Sequence, residues 1–355
     1  MSVTERQTPA ADPAVGDVRS DPLVHVMRGG RVESVHRGHV AVVDAGGRLL
    51  AWAGTPRVLV FPRSSFKPFQ TVPLVESGAW AASGLGEDAL ALVSGSHGGT
   101  DAHAEIARSI LRAAGAGESA LRCGSHTPYD DATAAVLRAS GEEPGPIRHN
   151  CSGKHAGMLL LARHLGAPLE TYVEPGHAVQ RRIFERFASI MGEPWADPTP
   201  AIDGCSAPTP RMPLATLAHS FALLAVGRDA SGKDVPALGA IRDAMRRHPE
   251  MVAGEGRLDT LLMRAIVNAV SKAGAEGVHA TGILDRGIGI AVKIEDGTRR
   301  ALGPAVTATL EALGLIGAQE KAALAQHAGD RLRNFAGLEV GAVRGVVRLH
   351  RAEAK

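Results

Sequence analysis

Aromatic side chains are scarce in this chain: Phe, Trp and Tyr together make up 3% of its 355 residues. That leaves little material for the stacking platforms on which single-stranded nucleic acid is bound. Neither sign of charge dominates. Lys and Arg number 39 and Asp and Glu 37, a net charge of +2, so no concentrated basic character argues for a nucleic-acid partner. No apolar run approaches the roughly 18 residues of a membrane span, and no membrane association is expected. Cysteine is rare. The three present, Cys123, Cys151 and Cys205, are an odd number and argue against a disulfide framework. Residues 1–21 carry prolines and charges of both signs but no apolar core, unlike a signal peptide. They read as a disordered leader, and the expected compartment is the cytoplasm. The remaining composition, 45% hydrophobic and 21% charged, is that of an ordinary globular protein, and residues 22–355 are taken as a single domain.

The hydrophobic pattern runs β, then α, then β. Residues 24–27 lead into a Gly29-Gly30 turn. Residues 39–44 and 48–52 flank Ala45-Gly46-Gly47, a hairpin signal, and a strand at 57–61 follows. Helical periodicity then covers 64–77, 101–114, 131–140, 154–165, 177–190, 214–226 and 258–270. Glycine and proline clusters at 141–146 and 194–200 separate some of these segments. Residues 283–295 and 298–302 around Asp296-Gly297 suggest a late hairpin. Residues 306–315 and 319–326 look helical, and 338–349 read as a last strand. The expected fold is α+β: one antiparallel sheet from the two ends of the chain (about 22–62 and 283–349), with helices from a middle region of about 63–282 on its faces.

Ser64-Ser65-Phe66-Lys67 is an S-x-x-K tetrad. On a helix, positions i and i+3 share a face, so Ser64 Oγ and the Lys67 amine can share a proton. A serine hydroxyl is a weak nucleophile without a base beside it. Lysine becomes such a base only when burial or a second cation destabilises its ammonium. The competing readings are Ser65 as the nucleophile, Ser64 as a plain helix cap, and Lys67 as a surface lysine. Ser96, in the run Ser94-Gly95-Ser96-His97-Gly98-Gly99, offers a second hydroxyl to relay a proton or bind substrate. Lys272-Ala273-Gly274 is one residue from the K-T-G triplet that accompanies S-x-x-K. There Lys272 would be the second cation, or else a solvated lysine ending a helix. The order S-x-x-K, isolated serine, K-x-G is that of the penicillin-recognising hydrolases.

Longer motifs carry a closer resemblance. Arg63-Ser64-Ser65-Phe66-Lys67-Pro68-Phe69-Gln70, His149-Asn150-Cys151-Ser152-Gly153-Lys154-His155-Ala156-Gly157-Met158, Asp203-Gly204-Cys205-Ser206-Ala207-Pro208-Thr209 and His248-Pro249-Glu250-Met251-Val252-Ala253-Gly254 are similar to the signatures of the thermolabile, Rhizobium etli-type L-asparaginase II family. The resemblance spans about 24–348. It implies hydrolysis of L-asparagine to aspartate and ammonia, and a fold like that of the serine β-lactamases and glutaminases. It also implies a zinc site at Cys151, Lys154 and Cys205, where two thiolates suit the ion and lysine would be an unusual third ligand. Catalytic roles then fall to Ser64, Lys67, Ser96 and Lys272. An amino-acid substrate needs an acid for its ammonium and a base for its carboxylate. Asp203, Asp259 and Glu76 are candidates for the first and Arg257 for the second, since guanidinium binds carboxylate in a bidentate manner. A homodimer is expected. The rival functions are a β-lactamase or penicillin-binding hydrolase, and a zinc-binding protein with an inert serine.

Overall fold

The computed structural model describes residues 18–192 and 200–353. Most of the expected leader, 1–17, and all but the last residue of the 194–200 proline cluster lie outside the described residues, and Asp21 already belongs to a strand. Nine strands form the large sheet, with every pair antiparallel. The N-terminal segment gives β1 (Asp21–Arg28), β2 (Arg31–Asp44) and β3 (Leu49–Ala53). The C-terminal part gives β4 (Ala269–Ala273), β5 (Val278–Ile283), β6 (Ile288–Ile294), β7 (Arg331–Arg333), β8 (Glu339–Gly345) and β9 (His350–Arg351). The main path is β7-β8-β1-β2-β6-β5-β4, with β3 beside β2 and β9 beside β3. The two chain ends are therefore stitched together three times: Val24 faces Gly345 across β1 and β8, Val42 faces Ile290 across β2 and β6, and Ala51 faces Arg351 across β3 and β9.

The second half of β2, His39 to Val43, is buried throughout. A short continuous apolar run of this kind suits a strand covered on both faces. One cover is α6 (Leu214–Val226), apolar nearly all round. It rests on the sheet at two glycines: a Cβ at Gly289 would overlap the Ala218 carbonyl, and one at Gly282 the Phe221 carbonyl. Only glycine lets a helix backbone come that close. The other cover is α9 (Arg299–Ala312), which packs against β1, β6 and β8. It closes a smaller core with Leu23, Val40, Val292, Ala305 and Leu310.

The larger core is helical. It surrounds α1 (Lys67–Glu76), α2 (Glu87–Val93), α3 (Asp101–Ala113), α4 (Ser152–His164), α5 (Ala178–Met191) and α7 (Pro236–Arg247). Every residue of α4 from Ser152 to Ala162 is buried, as a central helix must be. A group of phenylalanines gathers under α1. Phe66 meets Phe187 edge-on at 4.8 Å, and Phe69 lies 5.3 Å from Phe187 and 5.7 Å from Phe221. Each such pair contributes about 0.5–1.5 kcal/mol beyond its buried area, so the helix bearing the S-x-x-K tetrad stands on a stiff base.

The strand expected at 57–61 is only Leu59–Val60 and pairs with Met212–Pro213 outside the large sheet, and two further boundaries differ from the sequence reading. The helix expected over 258–270 is α8 (Leu258–Ala265), and the chain turns at Ile266–Asn268 into β4. The C-terminal contribution to the sheet thus begins at Ala269 rather than 283, because the apolar run 269–273 fits a strand as well as a helix. The late hairpin is also displaced. Its turn lies at Leu284–Gly287, between β5 and β6, and 298–302 opens α9 instead of returning as a strand. Asp296 Oδ1 accepts the Thr298 backbone N–H at 3.0 Å, an Asx turn that starts a helix as readily as a hairpin.

Candidate active site

Ser64 lies in the 3₁₀ turn Arg63–Phe66 that opens α1. Arg63, just before it, has φ +52°, a left-handed conformation that strains an L-residue. Two contacts hold it there. Arg63 Nε donates to Asp203 Oδ1 at 2.5 Å, and the end of β4 crowds the turn, since a Cβ at Gly274 would lie 2.5 Å from Pro62 O. The glycine of the K-x-G triplet thus permits the approach of β4 to the serine turn. Ser65 is fully buried and its hydroxyl donates to Pro62 O at 2.7 Å, so it is not available to a substrate. Ser64 is half-buried, makes no hydrogen bond through its hydroxyl among the described residues, and opens onto a cavity of about 220 Å³. Ser96, Tyr129, Asn150, Arg257, Asp259, Lys272 and Arg299 also line it. The volume is below the roughly 300–1,000 Å³ of sites for drug-sized ligands and suits a small metabolite.

Lys67 is 1% exposed. Its amine lies 2.5 Å from Gly95 O, 2.8 Å from Ser96 Oγ and 3.3 Å from Asn150 O. The expected bond from Ser64 to Lys67 is not formed; the lysine reaches Ser96 instead. Carbonyls only accept, so a neutral Lys67 can give its two N–H groups to Gly95 and Asn150 and keep its lone pair for the Ser96 hydroxyl proton. Burial pulls the Lys67 pKa down; Cys151 opposes this and Lys154 adds to it. Ser96 is itself fixed by its backbone N–H, which donates to Val252 O at 2.6 Å. A Cβ at Gly95 would lie 2.7 Å from Met251 O. The His248–Gly254 motif therefore backs the Ser94–Gly99 turn.

Lys272 is equally buried, on β4 rather than at a helix end. Its surroundings differ in one respect. Asp259, at the start of α8 and 3% exposed, has Oδ2 3.8 Å from Lys272 Nζ. Asp259 also accepts from Ser271 Oγ at 2.8 Å and the Ala273 N–H at 2.9 Å, and His279 Nε2 lies 3.2 Å away. Burial works to raise the Asp259 pKa, but the His279 hydrogen bond and the Lys272 charge outweigh it and hold it below the carboxylate range. Lys272 is lowered to about 7 by burial, with the Lys67 and Arg257 charges adding and Asp259 opposing. Asp259 was expected to meet a substrate ammonium. It lines the cavity, but both of its oxygens already accept hydrogen bonds and Oδ2 lies 3.8 Å from the Lys272 amine.

Behind this, the C-x-x-K and D-G-C motifs converge. Lys154 Nζ is 2.9 Å from Cys205 Sγ. The neighbouring Cys151 lowers Cys205 well below the usual thiol value, and Cys205 in turn raises Cys151 well above it. Burial would lower Lys154, but the Cys205 and Cys151 charges win and raise it. These directions favour a thiolate at Cys205 beside an ammonium at Lys154. His155 Nδ1 pairs with the Tyr172 hydroxyl at 2.6 Å, and its buried Nε2 has no hydrogen-bond partner yet lies near enough to Cys205 to act on it. Among the described residues no group of three or more His, Cys, Asp and Glu side chains is placed to hold a metal. A zinc ion would use the two sulfurs and the Lys154 amine, a donor set that fits it once Cys151 and Lys154 lose their protons. His149 plays no part here: its Nδ1 accepts the Cys151 N–H at 3.0 Å and so fixes the start of α4.

The structure brings Ser64, Ser96, Lys272, Asp259 and Arg257 to one cavity, with Lys67 touching it through Ser96, and Asp203 bonded to Arg63 beside it. It does not bring Glu76. That residue ends α1, roughly 14 Å along the helix from Lys67 at 1.5 Å per residue, and pairs with Arg186 at 2.7–3.0 Å. It is withdrawn from the substrate site. Sequence reasoning gave no role to Tyr129, Asn150 and Arg299; Asn150 lies inside the His149–Met158 motif, whereas Tyr129 and Arg299 carry no local spacing signal.

Residues 24–345 match the family described as L-asparaginase II, and the chain belongs to that family. Among solved structures, the chain is similar to Mglu in its native form, with 15% identity and a TM-score of 0.47 over 79% of this chain and 65% of that one. It is also similar to a Bacillus glutaminase solved in 4.3 M NaCl, with 13% identity and a TM-score of 0.41 over 78% of this chain and 91% of that one. The chain spans 65% of the length of Mglu. No curated protein matches it. Among the described residues no helix is long and apolar enough to cross a membrane.

Proposed function

We propose that the protein hydrolyses the side-chain amide of L-asparagine through a serine acyl-enzyme. Ser64 Oγ bonds to the amide carbon. Its proton passes through the Ser96 hydroxyl to a neutral Lys67, since Lys67 meets Ser96 at 2.8 Å. The same proton returns to the leaving nitrogen, which departs as ammonia. Water then attacks the ester, releasing aspartate and restoring Ser64. In its charged form Lys272, beside Asp259, favours the neutral form of Lys67 and the negative charge that develops on the substrate. Asp203, bonded to Arg63 at the serine turn, is the acid assigned here to the substrate ammonium.

Zinc at Cys151, Lys154 and Cys205 belongs to this reading. When bound it supplies fixed positive charge next to the Lys67 and Asp203 side chains, shaping substrate recognition. The chain's own residues carry the proton transfers.

The observation that carries the proposal is the cavity that brings a free serine hydroxyl together with the buried Lys272 and with Ser96, which the buried Lys67 meets at 2.8 Å, in a chain of the L-asparaginase II family. The test is ammonia release from L-asparagine. Ser64→Ala should lower turnover by about 10³-fold or more, because only binding and electrostatic contributions remain. Ser65→Ala should keep most activity; the reverse outcome overturns the assignment.

A further inference from the structure

At the mouth of the cavity two guanidiniums share one aromatic ring. Arg257 Cζ lies 5.1 Å from the Tyr129 ring centroid and Arg299 Cζ 5.0 Å from it. All three side chains line the cavity that holds Ser64. Among the described residues neither arginine has a carboxylate within ion-pair distance, whereas Arg63, Arg186 and Arg264 each have one. Arg257 is partly buried, Arg299 exposed. Burial and the Arg299 charge both disfavour the charged form of Arg257, and Asp259 only partly offsets them. Two like charges over one ring, one of them partly desolvated, form an arrangement that an anion between them would relieve.

We propose that Arg257, Tyr129 and Arg299 form the receptor for the substrate's α-carboxylate, and that they restrict the enzyme to the free amino acid, excluding asparagine whose carboxyl is an amide or lies within a peptide. This rests on the reading that the Ser64 cavity is the active site. The two guanidinium forks grip one carboxylate from α8 and α9, with the Tyr129 ring as the common floor. The reacting side-chain amide then points inward to Ser64. Arg257, fixed at the start of α8, is the anchor. Arg299 is the outer partner that closes the mouth.

The test uses L-asparagine and its α-N-methylamide, which keeps the side-chain amide and lacks the carboxylate. Ammonia is counted apart from methylamine, so only side-chain hydrolysis is read. The wild type should favour asparagine by about 100-fold or more in kcat/KM, the scale of losing a charge-assisted hydrogen-bonded pair. Arg257→Met and Arg299→Met should each raise KM for asparagine by about 10-fold or more while kcat changes far less, and each should shrink the preference by the same factor. Arg299→Lys should recover part of the loss. Arg299 is exposed, so its variant remains informative if Arg257→Met fails to fold. A preference that survives both Met substitutions, or a wild type that accepts the methylamide equally well, overturns the receptor. The two layers of the reading separate in the Ser64→Ala protein. If that variant keeps full turnover, the active-site assignment is what fails. If it is inactive but binds asparagine in calorimetry, and Arg299→Met leaves that affinity unchanged, the carboxylate receptor alone is wrong.

Discussion

Lys67 and Lys154 are both buried, 1% and 3% exposed, in neighbouring parts of one polar interior, yet they are pushed in opposite directions. Lys67 faces two carbonyls and a hydroxyl, and burial wins: its charged form is disfavoured. Lys154 faces the Cys205 sulfur at 2.9 Å, and there the thiolate wins: its charged form is favoured. The same side chain becomes a base in one place and a cation in the other because its nearest partners are neutral in one and anionic in the other. Lys272 stands between, with a buried carboxylate 3.8 Å away and a pKa near 7.

Arginine substitution breaks the comparison most sharply. Lys67→Arg should be nearly inactive, about 10³-fold down, because arginine keeps its proton at any working pH and cannot take one from Ser96. Lys154→Arg keeps a cation beside Cys205 and should fold, but guanidinium does not ligate zinc. Metal analysis of protein prepared without chelator and supplied with zinc should find about one ion per chain in the wild type and none in Lys154→Arg or in Cys151→Ala/Cys205→Ala. A zinc-loaded Lys154→Arg protein would remove lysine from the ligand set, and a wild type without zinc would remove the site.

The pair Lys67 and Lys272 sets the pH dependence. Each charge disfavours the other, so the active form carries one proton between them, and apparent pKa values belong to the pair. Asp259 favours the charged form of Lys272, yet burial with the Lys67 and Arg257 charges still lowers that lysine to about 7, while Cys151 and Cys205 partly offset the burial of Lys67. Activity should rise with pH as Lys67 becomes neutral and fall as Lys272 loses its proton. Asp259→Asn removes the group that raises Lys272, so the falling limb of kcat/KM should move to lower pH. Lys272→Met removes the falling limb and moves the rising limb to higher pH, because a cation that lowered Lys67 is gone. Limbs that stay in place in both variants would show that the two lysines are not coupled in catalysis.

The sequence made the sheet from two chain ends legible, because patterning and glycine turns are local. Helices 131–140 and 214–226 fall where the periodicity placed them. What local pattern could not distinguish was 258–273, where one apolar stretch serves first as α8 and then as β4. The site was legible wherever a motif holds several residues together, as in S-x-x-K and C-x-x-K. It was not legible at Tyr129 and Arg299, which are 170 residues apart and meet only through the packing of α9 on the sheet. Nor could spacing reveal that Lys67 would turn to Ser96 and not Ser64, since that depends on where the Ser94–Gly99 turn is pinned by Val252.

The smallest effect expected is at Glu76, and it tests whether position on the S-x-x-K helix is enough to give a residue a role. Glu76 shares α1 with Lys67 but ends it, and its carboxylate is held by Arg186 in a bidentate pair, with the two side chains 33% and 27% exposed. An ion pair with that much solvent contact contributes about 0.2–1 kcal/mol. Glu76→Gln should therefore lower the unfolding midpoint by about 2 °C or less, and Arg186→Gln by a similar amount. The double substitution should cost less than the sum of the two, because both remove the same contact. Activity should not respond: kcat and KM for asparagine should match the wild type within about twofold, as for a surface change remote from the chemistry. A KM raised about 10-fold in Glu76→Gln, with the midpoint unchanged, would restore this residue to substrate binding and show that the cavity at Ser64 is not the whole site.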